Sequence, residues 1–161
     1  MIQDLDKTGI VNGKAKEGGK TKHALYSVLV YKGVKITEEI RTEITCVRIC
    51  PQVKDIPSGT FQGCINLVEV QFCEGSLQAI GEGAFRDCTA LQQVTIPPSV
   101  TKLGSSAFQD CSNLTEVNFN NRLEVIEEGT FRNCTALKSV TIPASVTKVR
   151  SSVFWAAATW Q

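Results

Sequence analysis

The sequence predicts a β/α solenoid, in which short repeats of similar structure stack along one axis. Phenylalanine recurs about every 23 residues, other apolar positions keep a fixed distance from it, and one segment of every interval alternates apolar and polar residues as a strand does. The phenylalanines are Phe61, Phe85, Phe108, Phe131 and Phe154, with separations of 24, 23, 23 and 23 residues. A unit this short cannot bury its own apolar side chains, so neighbouring units must cover each other.

The apolar positions of the repeat fall into columns that run along the predicted stack. Cysteine follows each of the first four phenylalanines by three residues, leucine by six and valine by nine. These residues are Cys64, Cys88, Cys111 and Cys134; Leu67, Leu91, Leu114 and Leu137; and Val70, Val94, Val117 and Val140. The spacing predicts a strand around each valine, a turn, a short second strand, and a helical or 3₁₀ turn at Ala-Phe-x-x-Cys.

The pattern Ala-Phe-x-x-Cys-x-x-Leu-x-x-Val-x-Ile-Pro-x-x-Val-x-x-Leu-Gly, which occupies residues 84–104, resembles the BspA-type leucine-rich repeat. The resemblance covers roughly residues 44–154. It implies a right-handed leucine-rich-repeat stack with parallel strands, short second strands and helical or 3₁₀ turns. It also implies an interaction or adhesion module, since the family includes surface proteins of some bacteria and protists and expanded families in unicellular algae.

The chain divides into an N-terminal arm, residues 1–22, and a repeat domain, residues 23–161. The arm contains few apolar residues and the five lysines Lys7, Lys14, Lys16, Lys20 and Lys22, so we expect it to be flexible and basic. A solvated tail and a tether to an anionic surface (or a localisation signal) are its two interpretations. Residues 23–50 are rich in β-branched and aromatic residues and are interpreted as strands, with residues 23–43 forming an N-terminal β cap.

Residues 44–154 hold about four and a half repeats, and residues 155–161 form the C-terminal end. There the cysteine and leucine of the repeat are missing, and Trp155 and Trp160 stand near the end of the chain. A makeshift cap and a truncated gene product both account for this end. An uncapped unit exposes apolar surface and unpaired strand edges, so self-association through this edge is a further interpretation.

Composition excludes several classes of function. A formal net charge of +1 gives no overall field for binding nucleic acid. No apolar run approaches the roughly 18 residues of a membrane span. The acidic first residues lack the pattern of a signal peptide, which predicts a cytoplasmic or nuclear protein, with the cell surface left open if the N-terminus is incomplete.

No combination of residues indicates catalysis, a cofactor or a metal site. The four cysteines of the repeat column are interpreted as small buried side chains. The single histidine, His23, would have to reach across the fold to form a nucleophilic pair with a cysteine. We therefore expect a protein that is not an enzyme and that binds no cofactor or metal.

Cys50 and Cys73 lie outside that column. Aligning Val47 with Val70 puts the two cysteines at the same position of adjacent units. On neighbouring parallel strands their Cα atoms would be about 5 Å apart, so we predict that their thiols are adjacent. Whether they bond depends on the redox state of the compartment.

The outward side of the first strands is the predicted functional surface. Alternation along a strand directs two columns of polar residues away from the core. They are Arg48, Glu69, Gln71, Gln93, Thr95, Glu116, Asn118, Ser139 and Thr141. The leading hypothesis is a non-catalytic module that binds a protein partner of unknown identity. A structural or truncated family member without a dedicated partner, a surface adhesion protein and a thiol-dependent enzyme are the alternatives.

Overall fold

The structure is a solenoid whose turns, here called rungs, each contain a first strand, a short second strand and a phenylalanine-centred turn. The computed structural model describes residues 10–14 and 25–157, and for residues 10–14, 25 and 26 it describes the backbone alone. In chain order the elements are β1 (Ile10–Lys14), β2 (Leu25–Tyr31), α1 (Glu38–Glu43), β3 (Cys46–Ile49), β4 (Asp55–Ile56), β5 (Glu69–Phe72), β6 (Ala79–Ile80), β7 (Gln93–Thr95), β8 (Lys102–Leu103), β9 (Glu116–Asn118), β10 (Val125–Ile126) and β11 (Lys148–Val149).

Strands of successive rungs pair in parallel, with a register that follows the sequence period. The second strands form one five-stranded sheet in the order β4-β6-β8-β10-β11. The first strands form two shorter arrays, because β2, β3 and β5 pair with one another while β7 pairs with β9. Val47 lies opposite Val70, and Val94 lies opposite Val117. The predicted solenoid of parallel strands is therefore confirmed.

A ladder of stacked phenylalanine rings fills the interior. From Phe61 to Phe154, the centroids of consecutive rings are 5.0, 5.2, 5.4 and 5.6 Å apart, and the planes of each pair lie within 14° of parallel. Tyr31 closes the N-terminal end of the ladder, with its ring edge against Phe61. Aromatic contacts at this spacing add to the free energy gained by burying the rings.

The cysteine and leucine columns pack beside the ladder. Their side chains are all buried, which agrees with the columns predicted from the sequence: Cys64, Cys88, Cys111, Cys134, Leu67, Leu91, Leu114 and Leu137. The second strands β4, β6, β8 and β10 also direct one apolar residue each into this core, such as Ile80 and Leu103. Because the rungs of the first four phenylalanines contribute the same set, the core is continuous along this part of the stack.

The turn around each of the first four phenylalanines is bonded to the next rung through its backbone. In one such turn, the N–H of Phe85 donates to the carbonyl of Ala107 at 2.8 Å, and the N–H of Asp87 donates to that of Gln109 at 2.9 Å. A 3₁₀-type bond from the N–H of Cys88 to the carbonyl of Phe85 closes the turn. The φ of Asp87 is 61°, which Asp tolerates but which stops a helix from continuing. The predicted helical or 3₁₀ segments are therefore single turns.

The segment before β3 corrects one prediction. Residues 23–50 were interpreted as strands, but α1 lies within them and buries Ile40. Ile36 and Ile44, on either side of α1, are buried as well. The three isoleucines are four residues apart, a spacing that favours a helix, and Ile40 is the one that lies within α1 itself. The prediction of a strand was wrong because it weighed the β-branched residue type and not this spacing.

Arg41 of α1 supplies hydrogen bonds to the first phenylalanine turn that a preceding rung would otherwise supply. Its guanidinium donates to the carbonyl of Gln62 at 2.6 Å and to that of Gly59 at 3.4 Å. In the next rung the equivalent of Gln62 is Arg86, whose carbonyl accepts the N–H of Gly63 from the rung before it. The side chain of Arg41 thus satisfies an acceptor that a backbone N–H satisfies elsewhere.

Residues 10–14, which the sequence assigned to the flexible arm, form β1. This strand pairs antiparallel with β2, with Ile10 opposite Leu29 and Lys14 opposite Leu25. The edge of β2 offers unpaired backbone groups, and β-branched residues at the start of β1 favour an extended backbone. The remainder of the predicted arm, and His23, lie outside the described residues.

The last rung differs from the others. Residues 139–142 were predicted to be its first strand, but they form no strand pairing, and Val140 is half-buried. The second strand, β11, does pair with β10, yet Val149 is 47% exposed where the equivalent Ile126 is 0% exposed. Among the described residues no rung follows this one, so β11 is paired on one side alone. Trp155 is exposed, and Trp160 lies outside the described residues.

The stacked ring in the middle of the ladder gives a first test. Phe108→Ala should lower the free energy of unfolding by about 3–5 kcal/mol, because Phe108 is fully buried between Phe85 and Phe131. Urea denaturation followed by circular dichroism measures the loss. Phe154→Ala, at the half-buried end of the ladder, is the matched control and should cost less. Equal losses for the two variants would contradict the ladder as the main source of stability.

The N-terminal cap gives a second test. Arg41→Met keeps the apolar stem but leaves the carbonyls of Gln62 and Gly59 without these donors, which should cost about 1–3 kcal/mol of unfolding free energy. Arg48→Met removes an exposed arginine whose hydrogen-bond partner is the side chain of Gln71, and should change stability by less than about 0.5 kcal/mol. Thermal and urea denaturation of both variants would show whether α1 caps the stack through this guanidinium.

Candidate interaction face

The residues predicted to face outward lie in two rows on the first strands, and we call this set the polar face. β3 carries Arg48, and each of β5, β7 and β9 carries two members of the set. Gln71 is half-buried and the other eight are exposed: Arg48, Glu69, Gln93, Thr95, Glu116, Asn118, Ser139 and Thr141. Ser139 and Thr141 belong to the segment that forms no strand. The structure therefore places the predicted rows on one side of the solenoid.

Hydrogen bonds between side chains order two parts of the polar face. Nε of Arg48 donates to Oε1 of Gln71 at 3.1 Å, and Nε2 of Gln71 donates to Oε1 of Glu69 at 2.9 Å. Farther along, Nδ2 of Asn118 donates to Oε1 of Glu116 at 2.7 Å. These contacts hold carboxylate and amide groups in defined positions at the surface.

A first groove opens where β5 and β7 fail to pair. The two strands belong to different sheets, and this interruption falls in the interval of 24 residues rather than 23. The groove has a volume of about 570 Å³. Its lining comprises Val70, Gln71, Phe72, Glu74, Gly75, Thr95, Pro97, Pro98, Ser99 and Arg122. Since proline has no N–H, Pro97 and Pro98 cannot donate the backbone hydrogen bonds that would continue strand pairing beyond this point.

A second groove, of about 720 Å³, opens between β9 and the last rung. Its lining comprises Thr115, Glu116, Val117, Asn118, Phe119, Asn121, Lys138, Ser139, Thr141 and Pro143. In the described part of the chain, no backbone hydrogen bond joins β9 to residues 138–142. The carbonyl of Asn118 accepts the N–H of Ile96 on the β7 side. Because successive residues of a parallel strand bond to opposite neighbours, the backbone groups of Val117 face the groove.

Each groove contains an aromatic side chain that the sequence analysis did not assign to the surface. Phe72 and Phe119 are half-buried. Phe119 also packs edge-on against Phe131 of the ladder, with 5.8 Å between centroids. Alternation along the strand places both side chains on the core side, and both do pack against the core, but the missing strand pairing beside them leaves each partly exposed in a groove. Lys138 and Arg122, which lie outside the strands, also line the grooves and were not among the predicted residues.

The cysteine column is structural, and its thiols are hydrogen-bond donors as well as filler. Sγ of Cys111 donates to the carbonyl of Phe85 at 3.2 Å, and Sγ of Cys134 donates to that of Phe108 at 3.1 Å. Burial raises the pKa of Cys111 well above its ordinary value and raises that of Cys134 to about 12. The thiols of Cys111 and Cys134 are therefore protonated at neutral pH, and each is bonded to the rung before it. In the described ranges no group of three or more potential ligands could hold a metal ion.

A short repeat stacked in parallel, with a polar surface on its first strands, defines a leucine-rich-repeat protein. Residues 40–159 match the family described as "BspA type leucine rich repeat region", in six copies, and the chain belongs to this family. Among curated proteins, none matches the sequence. Within the described residues no helix is long and apolar enough to cross a bilayer.

Solved bacterial structures share the fold. A leucine-rich-repeat protein of T. pallidum is 23% identical, with a TM-score of 0.68 over 95% of this chain and 67% of that one. The pneumococcal vaccine antigen PcpA is 25% identical, with a TM-score of 0.63 over 80% of this chain and 32% of that one. A leucine-rich-repeat protein of Bacteroides capillosus is 27% identical, with a TM-score of 0.52 over 96% of this chain and 94% of that one. The present chain thus spans about a third of the pneumococcal protein.

The raised thiol pKa values give a third test. At pH 8, iodoacetamide should leave Cys111 and Cys134 unmodified in the folded protein. Burial raises the pKa of Cys111 well above its ordinary value and raises that of Cys134 to about 12, so both thiols have almost no thiolate at that pH. Because burial raises the pKa of these thiols, their modification should increase only as the pH approaches the raised pKa or as the chain unfolds. Peptide mapping in native buffer and in guanidinium measures it. Rapid native alkylation of either cysteine would contradict the column as a buried, protonated array.

Proposed function

We propose that this protein is a non-catalytic module that binds a protein partner across the polar face. The observation that carries the proposal is the pair of grooves, since both are lined by residues of the polar face. Gln71 and Thr95 belong to the first groove, and four residues of the face belong to the second. Repeat proteins of this architecture use such extended surfaces for binding.

The chemistry of the grooves supports a protein ligand. Amide, hydroxyl and carboxylate groups offer hydrogen bonds, and each groove adds one aromatic ring, Phe72 or Phe119. An apolar anchor surrounded by oriented polar groups is the usual anatomy of a protein interface. The side-chain hydrogen bonds of Arg48 and Glu116 reduce the conformational entropy that binding would otherwise cost.

The unpaired edge of β9 supports the second groove as the more directional of the two. Backbone N–H and C=O groups at that edge can bond to an extended segment, as in binding by strand addition. Glu116 and Lys138 place opposite charges along this groove. Such a ligand would be held by backbone bonds, with the two charges selecting its side chains.

The same surfaces support a role other than catalysis. The ionisable residues of the grooves are Glu74 and Arg122 in the first, and Glu116 and Lys138 in the second. None of these sets combines a nucleophile with a base and an orienting group, which is what covalent catalysis requires. We therefore assign the grooves to binding.

Charge reversal on the polar face tests the proposal. A Glu69→Lys, Glu116→Lys double variant should reduce recovery of the bound partner by roughly tenfold or more, because it reverses charge at two ordered positions of the face. The measurement is a cross-linking pull-down from extracts of the cells that make the protein, quantified by mass spectrometry against the unmodified chain.

A matched control comes from the other side of the solenoid. Asp55 and Glu124 are exposed and lie beside the second strands, so Asp55→Lys, Glu124→Lys makes the same change in net charge away from both grooves. Recovery should be retained in this variant. Equal recovery with both double variants would exclude the polar face as the binding surface, and equal loss would indicate a non-specific effect of net charge.

A further inference from the structure

Cys50 and Cys73 are bracketed by backbone contacts between their two rungs. Before them, Ile49 lies opposite Phe72, and the N–H of Cys73 donates to the carbonyl of Ile49 at 3.1 Å. After them, the N–H of Ser76 donates to the carbonyl of Pro51 at 3.2 Å. The rungs are therefore held together on both sides of the two cysteines.

This bracketing fixes the separation of the pair. Residues opposite each other on neighbouring parallel strands are about 4.8 Å apart, and disulfides span Cα separations of roughly 4.4–6.8 Å. Cys50 and Cys73 follow opposed residues by one position each, so their side chains leave the backbone on the same side of the sheet. A bond between the two sulfur atoms then requires rotation of side chains and no change of register.

The other five cysteines are in different surroundings. Cys46 and the four column cysteines are buried, whereas Cys50 and Cys73 are the two that are half-buried. In the column, the thiols of Cys88 and Cys111 are committed as donors to backbone carbonyls. A reagent in solution therefore reaches Cys50 and Cys73 first, and it reaches them as a pair.

We propose that Cys50 and Cys73 form a paired-thiol site that low-molecular-weight disulfides oxidise to an intramolecular disulfide. The thiolate of one cysteine attacks a sulfur of the small disulfide, which forms a mixed disulfide and releases one small thiolate. The second cysteine, as its thiolate, attacks the protein sulfur of the mixed disulfide and releases the other half of the reagent. The two protein thiols are oxidised by two electrons, the small disulfide is reduced to two thiols, and the two protein protons leave with them.

The bond would join the N-terminal cap to the repeat array. Cys50 directly follows β3, which pairs with the cap strand β2, and Cys73 directly follows β5. The bond would close a loop within the unfolded chain and so favour the folded state. Oxidation would therefore strengthen the attachment of the cap to the repeats without altering the cysteine column or the phenylalanine ladder.

Oxidation of the full chain by oxidised glutathione tests this proposal. The reduced protein, freed of reductant, is incubated with the reagent, alkylated and mapped without reduction. We expect a cross-linked peptide that contains Cys50 and Cys73, an intact mass lower by two hydrogens, and no retained glutathione. The thermal midpoint of this species should lie about 5 °C or more above that of the reduced protein. A lower midpoint would overturn the claim that the native register admits the bond.

Single variants separate pairing from simple reactivity. In Cys73→Ser, the attacked Cys50 lacks its second thiol, so it should keep one glutathione as a stable mixed disulfide. Cys46→Ser is the matched control and should form the same cross-link as the unmodified chain. Stable glutathione on both Cys50 and Cys73 of the unmodified chain, or a cross-link that involves a column cysteine, would overturn the proposal even if a variant failed to fold.

Discussion

The apolar flanks of each phenylalanine ring must be covered by the rings of adjacent rungs. A rung of about 23 residues has too little chain to enclose its own ring, so the stack must hold one spacing throughout. The rings are 5.0 to 5.6 Å apart, close to the separation of about 4.8 Å between paired strands. Ring stacking and backbone pairing therefore require nearly the same rise from one rung to the next.

Backbone bonding maintains this rise along two lines of the solenoid and is interrupted along the third. The second strands form one sheet of five, and the phenylalanine turns are bonded from rung to rung. Directly after β8, the backbones of neighbouring rungs approach each other closely, since a Cβ on Gly104 would lie 2.7 Å from the backbone nitrogen of Glu82. The first strands break twice, yet the ladder remains stacked. Because two lines suffice to hold the rungs, the third is free to open grooves.

The sequence was sufficient for what repeats and insufficient for what occurs once. Four units in register predicted the ladder, the buried columns and the rows of the polar face, because each position was observed several times. α1 has no second copy, and the spacing of Ile36, Ile40 and Ile44 had to be set against strand-forming residue types. The grooves were missed because strand alternation assigns each residue to a face but does not show whether neighbouring strands pair. Phe72 and Phe119 consequently looked like core.

The cysteines show how one residue type acquires two kinds of chemistry from its place in the rung. At the third position after phenylalanine, the side chain points into a dry core, and the nearest acceptor is a carbonyl of the previous rung. Desolvation there disfavours the thiolates of Cys111 and Cys134, so each of these two groups is held as a neutral donor. At the end of a first strand the backbone turns toward solvent, and the side chains of Cys50 and Cys73 are half-buried. A stack that repeats residue types therefore repeats chemistry only where the surroundings repeat as well, and reactivity belongs to the positions where the core ends.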